Sequence, residues 1–158
     1  MGRALLTILL LIILVSPALS KVMSLKVQDF TYRRYEGSEL VLKLKSAYFE
    51  RREDESFSAK DLELFSPKRG IAIKAKHGFY NKNKDLFYFQ GNVELKTDKH
   101  GDIYTEELFY DIKEEVLRAP ARVIIKKDKI SAEGSDLYYN LKSGEFRLKG
   151  SVRAKFSL

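Results

Sequence analysis

The sequence predicts an all-β domain made of stacked antiparallel strand–turn–strand units. Three observations support this fold class: short runs alternate between apolar and polar residues, turn-forming residues separate the runs, and one motif recurs at a spacing of about 30 residues. The 158 residues include ten Phe and nine Tyr but three Pro, a composition that favours strands. At this length one domain is the expected organisation.

Five runs alternate with a period of two, which places their apolar residues on one face of a strand and mostly charged residues on the other. The apolar positions are Leu40, Leu42 and Leu44; Ile71, Ile73 and Ala75; Val93 and Leu95; Val123 and Ile125; and Phe146 and Leu148. Turn-forming sequences lie between strands at 67–70, 81–84, 99–102, 127–129 and 142–144. After residue 21, no segment carries a helical apolar stripe over three turns.

Three segments, residues 79–93, 109–123 and 138–152, repeat the same order of residue types. Each begins with an aromatic pair, continues through a polar turn and an apolar strand, and ends on a valine. Residues 38–66 resemble a degenerate fourth unit. A single hairpin cannot bury its apolar face, so the units are expected to stack on one another.

Stacked units of this kind either close into a barrel or remain an open, curled sheet. The last strand, Gly150 to Phe156, favours the open form because it has no proline and few features that protect a strand edge. Arg153 and Lys155 leave an ordinary charged edge as the alternative. We expect a partner-binding edge here, at Gly150, Val152, Ala154 and Phe156.

Composition excludes several kinds of site. The absence of Cys excludes disulfides, Cys-ligated metals and a Cys nucleophile, and two His are too few for a multi-histidine centre. The acid pairs at 106–107 and 114–115 point to opposite faces if they lie in strands, so neither forms an acid–base pair. No phosphate-binding loop or nucleophile elbow is present. We therefore expect no catalytic residue, metal or cofactor, and a protein that is not an enzyme.

Residues 1–23 form a separate N-terminal segment, and residues 24–158 form the exported domain. Residues 4–15 are apolar except for Thr7, and Arg3 precedes them. A cleaved signal peptide and a retained membrane anchor are both consistent with this pattern, since Ala18 and Ser20 suit cleavage and the apolar stretch is nearly long enough to span a bilayer. Either alternative places the domain outside the cytoplasm.

The net charge is +7, from 29 Lys and Arg against 22 Asp and Glu. The cations are spread among acids over the predicted turns and outer faces, which is typical of a soluble surface. Export makes nucleic acid an unsuitable partner, whereas a phosphorylated, anionic lipid would suit a basic exported protein.

Large apolar residues recur on the inner faces of the strands, with no helix to cover them. A curled sheet lined in this way predicts an apolar groove that holds acyl chains, although plain core packing is the alternative for any one residue. The predicted groove residues are Ile73, Ala75, Phe87, Phe89, Val93, Leu95, Leu117, Val123, Ile125, Phe146, Leu148 and Val152.

The order of several short motifs resembles that of the LptC family of lipopolysaccharide-transport proteins. The motifs are GNV at 91–93, IYTEELFYD at 103–111, APARV at 119–123, ISAEG at 130–134 and LKGSVRA at 148–154. The resemblance covers about residues 25–156 and extends to the apolar N-terminal segment.

The resemblance implies an open, twisted antiparallel β-jellyroll on one N-terminal transmembrane helix, located at the inner membrane with its domain in the periplasm. It implies that the domain receives lipopolysaccharide from the ABC transporter complex of LptB, LptF and LptG and passes it to LptA. The last strand would then meet LptA, and the strand at Leu40, Leu42 and Leu44 would form a second partner-binding edge that faces the transporter. A secreted carrier similar to LptA and a purely structural bridge are the alternatives.

Overall fold

The computed structural model describes residues 25–157, which form nine β-strands. The strands are β1 (Leu25–Glu36), β2 (Glu39–Arg51), β3 (Phe57–Ser66), β4 (Ile71–Asn81), β5 (Leu86–Thr97), β6 (Gly101–Asp111), β7 (Val116–Lys127), β8 (Ile130–Asn140) and β9 (Phe146–Phe156). The predicted transmembrane or signal segment, residues 1–23, lies outside the described residues. Within the described range, no helix has the length and apolar character needed to cross a membrane.

The nine strands form one antiparallel sheet in which each strand pairs with its neighbours in the sequence. The all-β prediction is confirmed, and each predicted repeat unit forms one hairpin: β4–β5, β6–β7 and β8–β9. The degenerate unit at 38–66 forms the β2–β3 hairpin. Among the described residues β1 and β9 are the edge strands, and their backbones do not approach each other, so the sheet is open.

Most strands bend near their midpoints because the pairing register shifts there. The β4–β5, β5–β6, β6–β7, β7–β8 and β8–β9 ladders all contain such a bulge. In β5 the bulge lies at Gly91 and Asn92, which have φ angles of 85° and 44°. A bulge bends a strand and increases its twist, and glycine adopts the positive φ with little strain. The bends fold the sheet over, so that the two halves of the bulged strands lie in different layers.

Turns from opposite ends of the strands meet where the layers close. Arg69, in the β3–β4 turn, forms an ion pair with Glu115 in the β6–β7 turn. The His100 ring, in the β5–β6 turn, stacks on Phe146 with the centroids 4.2 Å apart and meets Tyr139 edge-on at 4.9 Å. We call this line of contacts the seam, defined by Arg69, Glu115, His100, Tyr139 and Phe146. Arg69 thus meets the turn three strands further along the chain, and His100 meets the strand ends that flank the turn three strands further along.

The three-strand offset leaves both ends of the folded sheet uncovered within the described residues. By the same offset, the β2–β3 turn would be covered only by a turn that precedes β1. The β7–β8 turn would likewise be covered only by a turn that follows β9. Apolar side chains are accordingly exposed at the ends, including Leu25 at one end and Ile130, Val152 and Phe156 at the other. Between the ends, the inner faces of the two layers pack into one continuous core.

Candidate functional site

A cavity of about 580 Å³ opens at the β1–β3 end of the sheet, where the second layer is missing. Aromatic and aliphatic side chains form its wall, and charged residues lie around its mouth. The apolar lining residues are Leu25, Phe30, Tyr32, Leu42, Leu44, Phe49, Phe57, Tyr80, Phe87 and Ile112. This volume is within the range of about 300–1,000 Å³ typical of ligand sites.

A chain of aromatic rings runs along the cavity wall from the edge strand into the core. Phe30 on β1 stacks on Phe49 with centroids 4.0 Å apart, and Phe49 lies 4.9 Å from Phe57. Phe57 meets Phe87 edge-on at 5.6 Å, and Phe87 stacks on Phe89 at 5.7 Å. The first three rings lie on the adjacent strands β1, β2 and β3, and Tyr80 on β4 lies between Phe57 and Phe87, with centroids 5.2 and 4.7 Å away. The cavity therefore has a continuous aromatic wall.

Charged side chains form the mouth of the cavity and neutralise one another in part. Arg51 Nη2 donates to Glu55 Oε1 at 2.9 Å, and Lys82 also pairs with Glu55. Arg34 and Asp85 complete the charged part of the lining. Three cations therefore face two carboxylates at the mouth, while the interior offers apolar surface.

Tyr80 places a polar group at the boundary between the mouth and the apolar wall. Its hydroxyl donates to Asp85 Oδ1 at 2.6 Å. Burial, the hydrogen bond to Asp85 and the charge of Asp85 together raise the pKa of Tyr80 to about 12. Tyr80 therefore remains a neutral donor that holds the Asp85 carboxylate in place.

The arrangement suits the binding of an apolar guest. Among residues 25–157, no cluster of three or more His, Asp or Glu side chains is arranged to hold a metal ion. The mouth carboxylates of Glu55 and Asp85 are already engaged by neighbouring donors. Burial of an acyl chain against the aromatic wall would contribute about 25 cal/mol per Å² of apolar surface removed from water.

Most of the predicted groove residues lie in the closed core and do not line an open groove. Those at most 7% exposed are Ile73, Ala75, Phe87, Phe89, Val93, Leu95, Leu117 and Val123. Ile125, Phe146 and Leu148 are half-buried, and Val152 is 52% exposed at the β9 end. Phe87 alone among the twelve lines the large cavity. Contact of the other residues with lipid therefore stays a prediction, and for the buried ones it requires the layers to part.

The four residues predicted at the C-terminal edge, Gly150, Val152, Ala154 and Phe156, do lie on the edge strand β9 and are exposed. The corresponding prediction at the other end is wrong in its position. Leu40, Leu42 and Leu44 lie on β2, which is hydrogen-bonded to both β1 and β3, and Leu44 is buried. The edge there is β1.

Sequence reasoning missed both β1 and the cavity residues. Asp29 and the pair Arg33-Arg34 interrupt any apolar alternation in β1, although Phe30 and Tyr32 favour a strand. Phe30, Phe49, Phe57 and Tyr80 were not among the predicted groove residues. Alternation in β2, β3 and β4 could have placed the last three on inner faces, but it contains no information about which end of the sheet remains uncovered.

A single open antiparallel β-sheet of consecutive strands defines a class of protein, the jellyroll-like all-β domains. Residues 6–157 match the family described as LptC, lipopolysaccharide-assembly, LptC-related. Since the match covers nearly the whole sequence, the chain belongs to this family, and the resemblance noted from the sequence motifs is confirmed. No curated protein matches the chain closely enough to count as a relative. Family membership implies a role in lipopolysaccharide transport.

Proposed function

We propose that this protein binds lipopolysaccharide by its acyl chains and passes it from the inner-membrane ABC transporter, LptB with LptF and LptG, to LptA. The open apolar cavity at the β1 end is the observation that carries this proposal. The N-terminal segment would anchor the chain in the inner membrane as a single span, with the β-domain in the periplasm. The transport would need no chemistry by this chain, because energy would come from the ATPase of the partner complex.

The acyl chains would enter the cavity while the phosphorylated sugars stay in water near the charged mouth. Arg34, Arg51 and Lys82 give the mouth a cationic excess over Glu55 and Asp85, which suits an anionic head group. Because the core between the two ends is closed, passage toward β9 would require the layers to separate along the seam. The buried inner residues would then contact the lipid in turn.

Photo-crosslinking tests the cavity directly. A photoreactive amino acid at Phe57, in the cavity wall, is expected to crosslink lipopolysaccharide in cells that contain the full transport system. The same group at Tyr88 is the matched control, because Tyr88 lies on the outer face of β5, two strands from β3, does not line the large cavity and donates to Glu107 at 2.8 Å. If position 57 gives no more crosslinked lipid than position 88 in equally folded proteins, the cavity assignment is wrong.

Crosslinking at Phe89 tests passage through the core. Phe89 is 0% exposed and lies beside Phe87 at the inner end of the aromatic chain. We expect crosslinks at position 89 that depend on ATP hydrolysis by the partner complex, because the layers must part before lipid reaches this residue. Equal labelling with and without ATP would contradict that step.

The closed core also supports a second candidate, a structural scaffold that bridges partners through its strand edges and carries no lipid. Val152→Pro would disrupt edge pairing in both cases, so it does not separate them. Lipid crosslinking at Phe57 does separate them, since a scaffold gives none. A soluble carrier similar to LptA is distinguished by the mass of the mature chain, which begins at Lys21 if the segment is cleaved.

A further inference from the structure

Cations are interspersed with acids along the whole sequence, but the net positive charge of the described residues falls in the last three strands. Residues 116–157 contain ten Lys and Arg against four Asp and Glu, a net charge of +6. Residues 25–115 contain 17 Lys and Arg against 18 Asp and Glu, a net charge of −1. The β7–β9 end is therefore strongly basic, while the end that carries the cavity is nearly neutral.

The edge strand carries much of this excess. β9 contains Arg147, Lys149, Arg153 and Lys155 and no acidic residue. All four side chains are exposed. Arg147 lies 4.3 Å from the Tyr138 ring and pairs with the adjacent Glu145 at 2.9 Å.

Neighbouring acids do not balance these cations. Glu133 on β8 already accepts a hydrogen bond from Arg122 at 2.6 Å. That bond, together with the charges of Arg122, Arg153 and Lys155, lowers the pKa of Glu133. One carboxylate is thus shared among three cations, and β9 keeps unpaired positive charge along its exposed side.

The same end of the sheet has an uncovered apolar inner face. Ile130 is 45% exposed, Val152 52% and Phe156 72%, because the three-strand offset leaves no second layer over them among the described residues. The backbone of β9 has a paired neighbour on one side, β8. A strand added to the other side would satisfy backbone groups, cover apolar surface and meet four cations.

A second copy of this chain is a poor occupant. Its own β1 edge contains Lys26, Arg33 and Arg34 against Asp29 and Glu36, a net charge of +1. Pairing β9 with β1 would place seven cations against two acids. Like charges on directly opposite strands destabilise pairing, so this contact is selected against.

An anionic membrane surface would attract the same cations, but it would leave the backbone groups of the β9 edge unpaired.

We propose that the β9 edge selects the edge strand of a partner protein that carries carboxylates at alternate positions on its outer face. The cations of β9 would at the same time exclude a second copy of this chain. The proposal rests on the proposed hand-off, because it specifies the chemistry of the partner at that same edge. Each pair of an Arg or Lys with an opposed carboxylate stabilises the contact and speeds association.

Charge reversal tests the proposal with the full-length chain in nanodiscs and with purified LptA as the probe. The variant Lys149→Glu/Arg153→Glu/Lys155→Glu changes the charge of β9 from +4 to −2. Lys60→Glu/Lys76→Glu/Lys96→Glu is the control, because it changes the net charge equally on the exposed side chains of β3, β4 and β5. We expect the β9 variant to bind LptA about tenfold or more weakly and the control to bind it within about twofold of wild type.

The β9 variant should also gain a reversible self-association that added salt weakens, whereas aggregation through misfolding would be irreversible and insensitive to salt. Its β9 would complement its own β1, so we expect head-to-tail self-association by sedimentation, which the wild type and the control lack. LptA binding unchanged by the β9 reversal would overturn the proposal while leaving the hand-off intact. If the wild-type protein does not bind LptA at any salt concentration, the proposed transfer of lipid to LptA is wrong. In that case, absence of self-association in the β9 variant would overturn the charge proposal as well.

Hydrogen exchange of the β9 amides distinguishes the membrane alternative. We expect protection on addition of LptA that is the same in neutral and anionic nanodiscs. Protection that appears without LptA, and only in anionic nanodiscs, would show that the basic strands lie on the membrane and would overturn the proposal.

Discussion

The Arg69–Glu115 ion pair is expected to hold the two layers of the sheet together at the seam. The Glu115 side chain is 12% exposed and that of Arg69 is 32% exposed, and Oε2 of Glu115 has no hydrogen-bond partner among the described residues. Removing the guanidinium with Arg69→Met would leave a mostly buried carboxylate unpaired. A fully buried pair costs about 3–5 kcal/mol when one partner is lost; because Arg69 is one-third exposed, we expect about 1–3 kcal/mol.

A double-mutant cycle with Arg69→Met and Glu115→Gln measures the pair itself. We expect a coupling free energy of about 1–2 kcal/mol, from urea unfolding followed by circular dichroism. The matched control is the Arg122–Glu133 pair, which also makes a close contact, at 2.6 Å, but has side chains 68% and 45% exposed. Its coupling should be clearly smaller than that of the seam pair because solvent screens it.

The coupling free energies of the two pairs show whether the seam pair holds the layers together. If the seam pair couples no more strongly than the exposed pair, Arg69 and Glu115 do not hold the layers together. The proposal that lipid passage requires the seam to part would then lose its main structural support.

Three further predictions concern the core, the seam and the cavity mouth. Gly78→Ala should destabilise the fold by about 1–3 kcal/mol because its Cβ would overlap Cδ2 of the buried Leu62, and adding Leu62→Ala should cost less than the sum of the single changes in urea unfolding. Burial and, to a smaller extent, the charges of Lys127 and Lys99 lower the pKa of His100, so the folded state favours the neutral ring. The stability of the protein should therefore fall as the pH drops below about 6.5. Thermal unfolding of His100→Phe should not show this pH dependence. The pKa of Tyr80 is raised to about 12 by burial and by Asp85, so stability should be lost as the pH rises from about 10 toward 12, and alkaline unfolding of Tyr80→Phe should show a smaller loss.

The sequence predicted local features well. Ile73, Val93 and Val123 were placed on inner faces by alternation, and all three are buried in the structure. Alternation depends only on the two-residue period of a strand, so it can be read without knowing the fold. It failed at β1, where Arg33 and Arg34 break the pattern in a strand whose side chains are mostly exposed.

The residues that line the open cavity could not be predicted from the sequence. Alternation shows which face of a strand is apolar, but it does not show what covers that face. Phe87 and Phe89 have the same pattern and lie on the same strand, yet Phe87 lines the cavity and Phe89 is enclosed. The difference arises from the offset of three strands between turns that meet at the seam. That offset depends on bends at several bulges acting together.

The sequence by itself determined the all-β fold class, the order of the hairpins, the apolar faces of the strands and the family. It could do so because turn residues, two-residue periodicity and ordered motifs are local properties of the chain. The tertiary structure alone decided that the core is closed, that a cavity opens at the β1 end, and that the basic strand β9 forms the opposite edge. The physical reason is that burial depends on how the bent strands fold over one another, and this involves contacts between residues far apart in the chain.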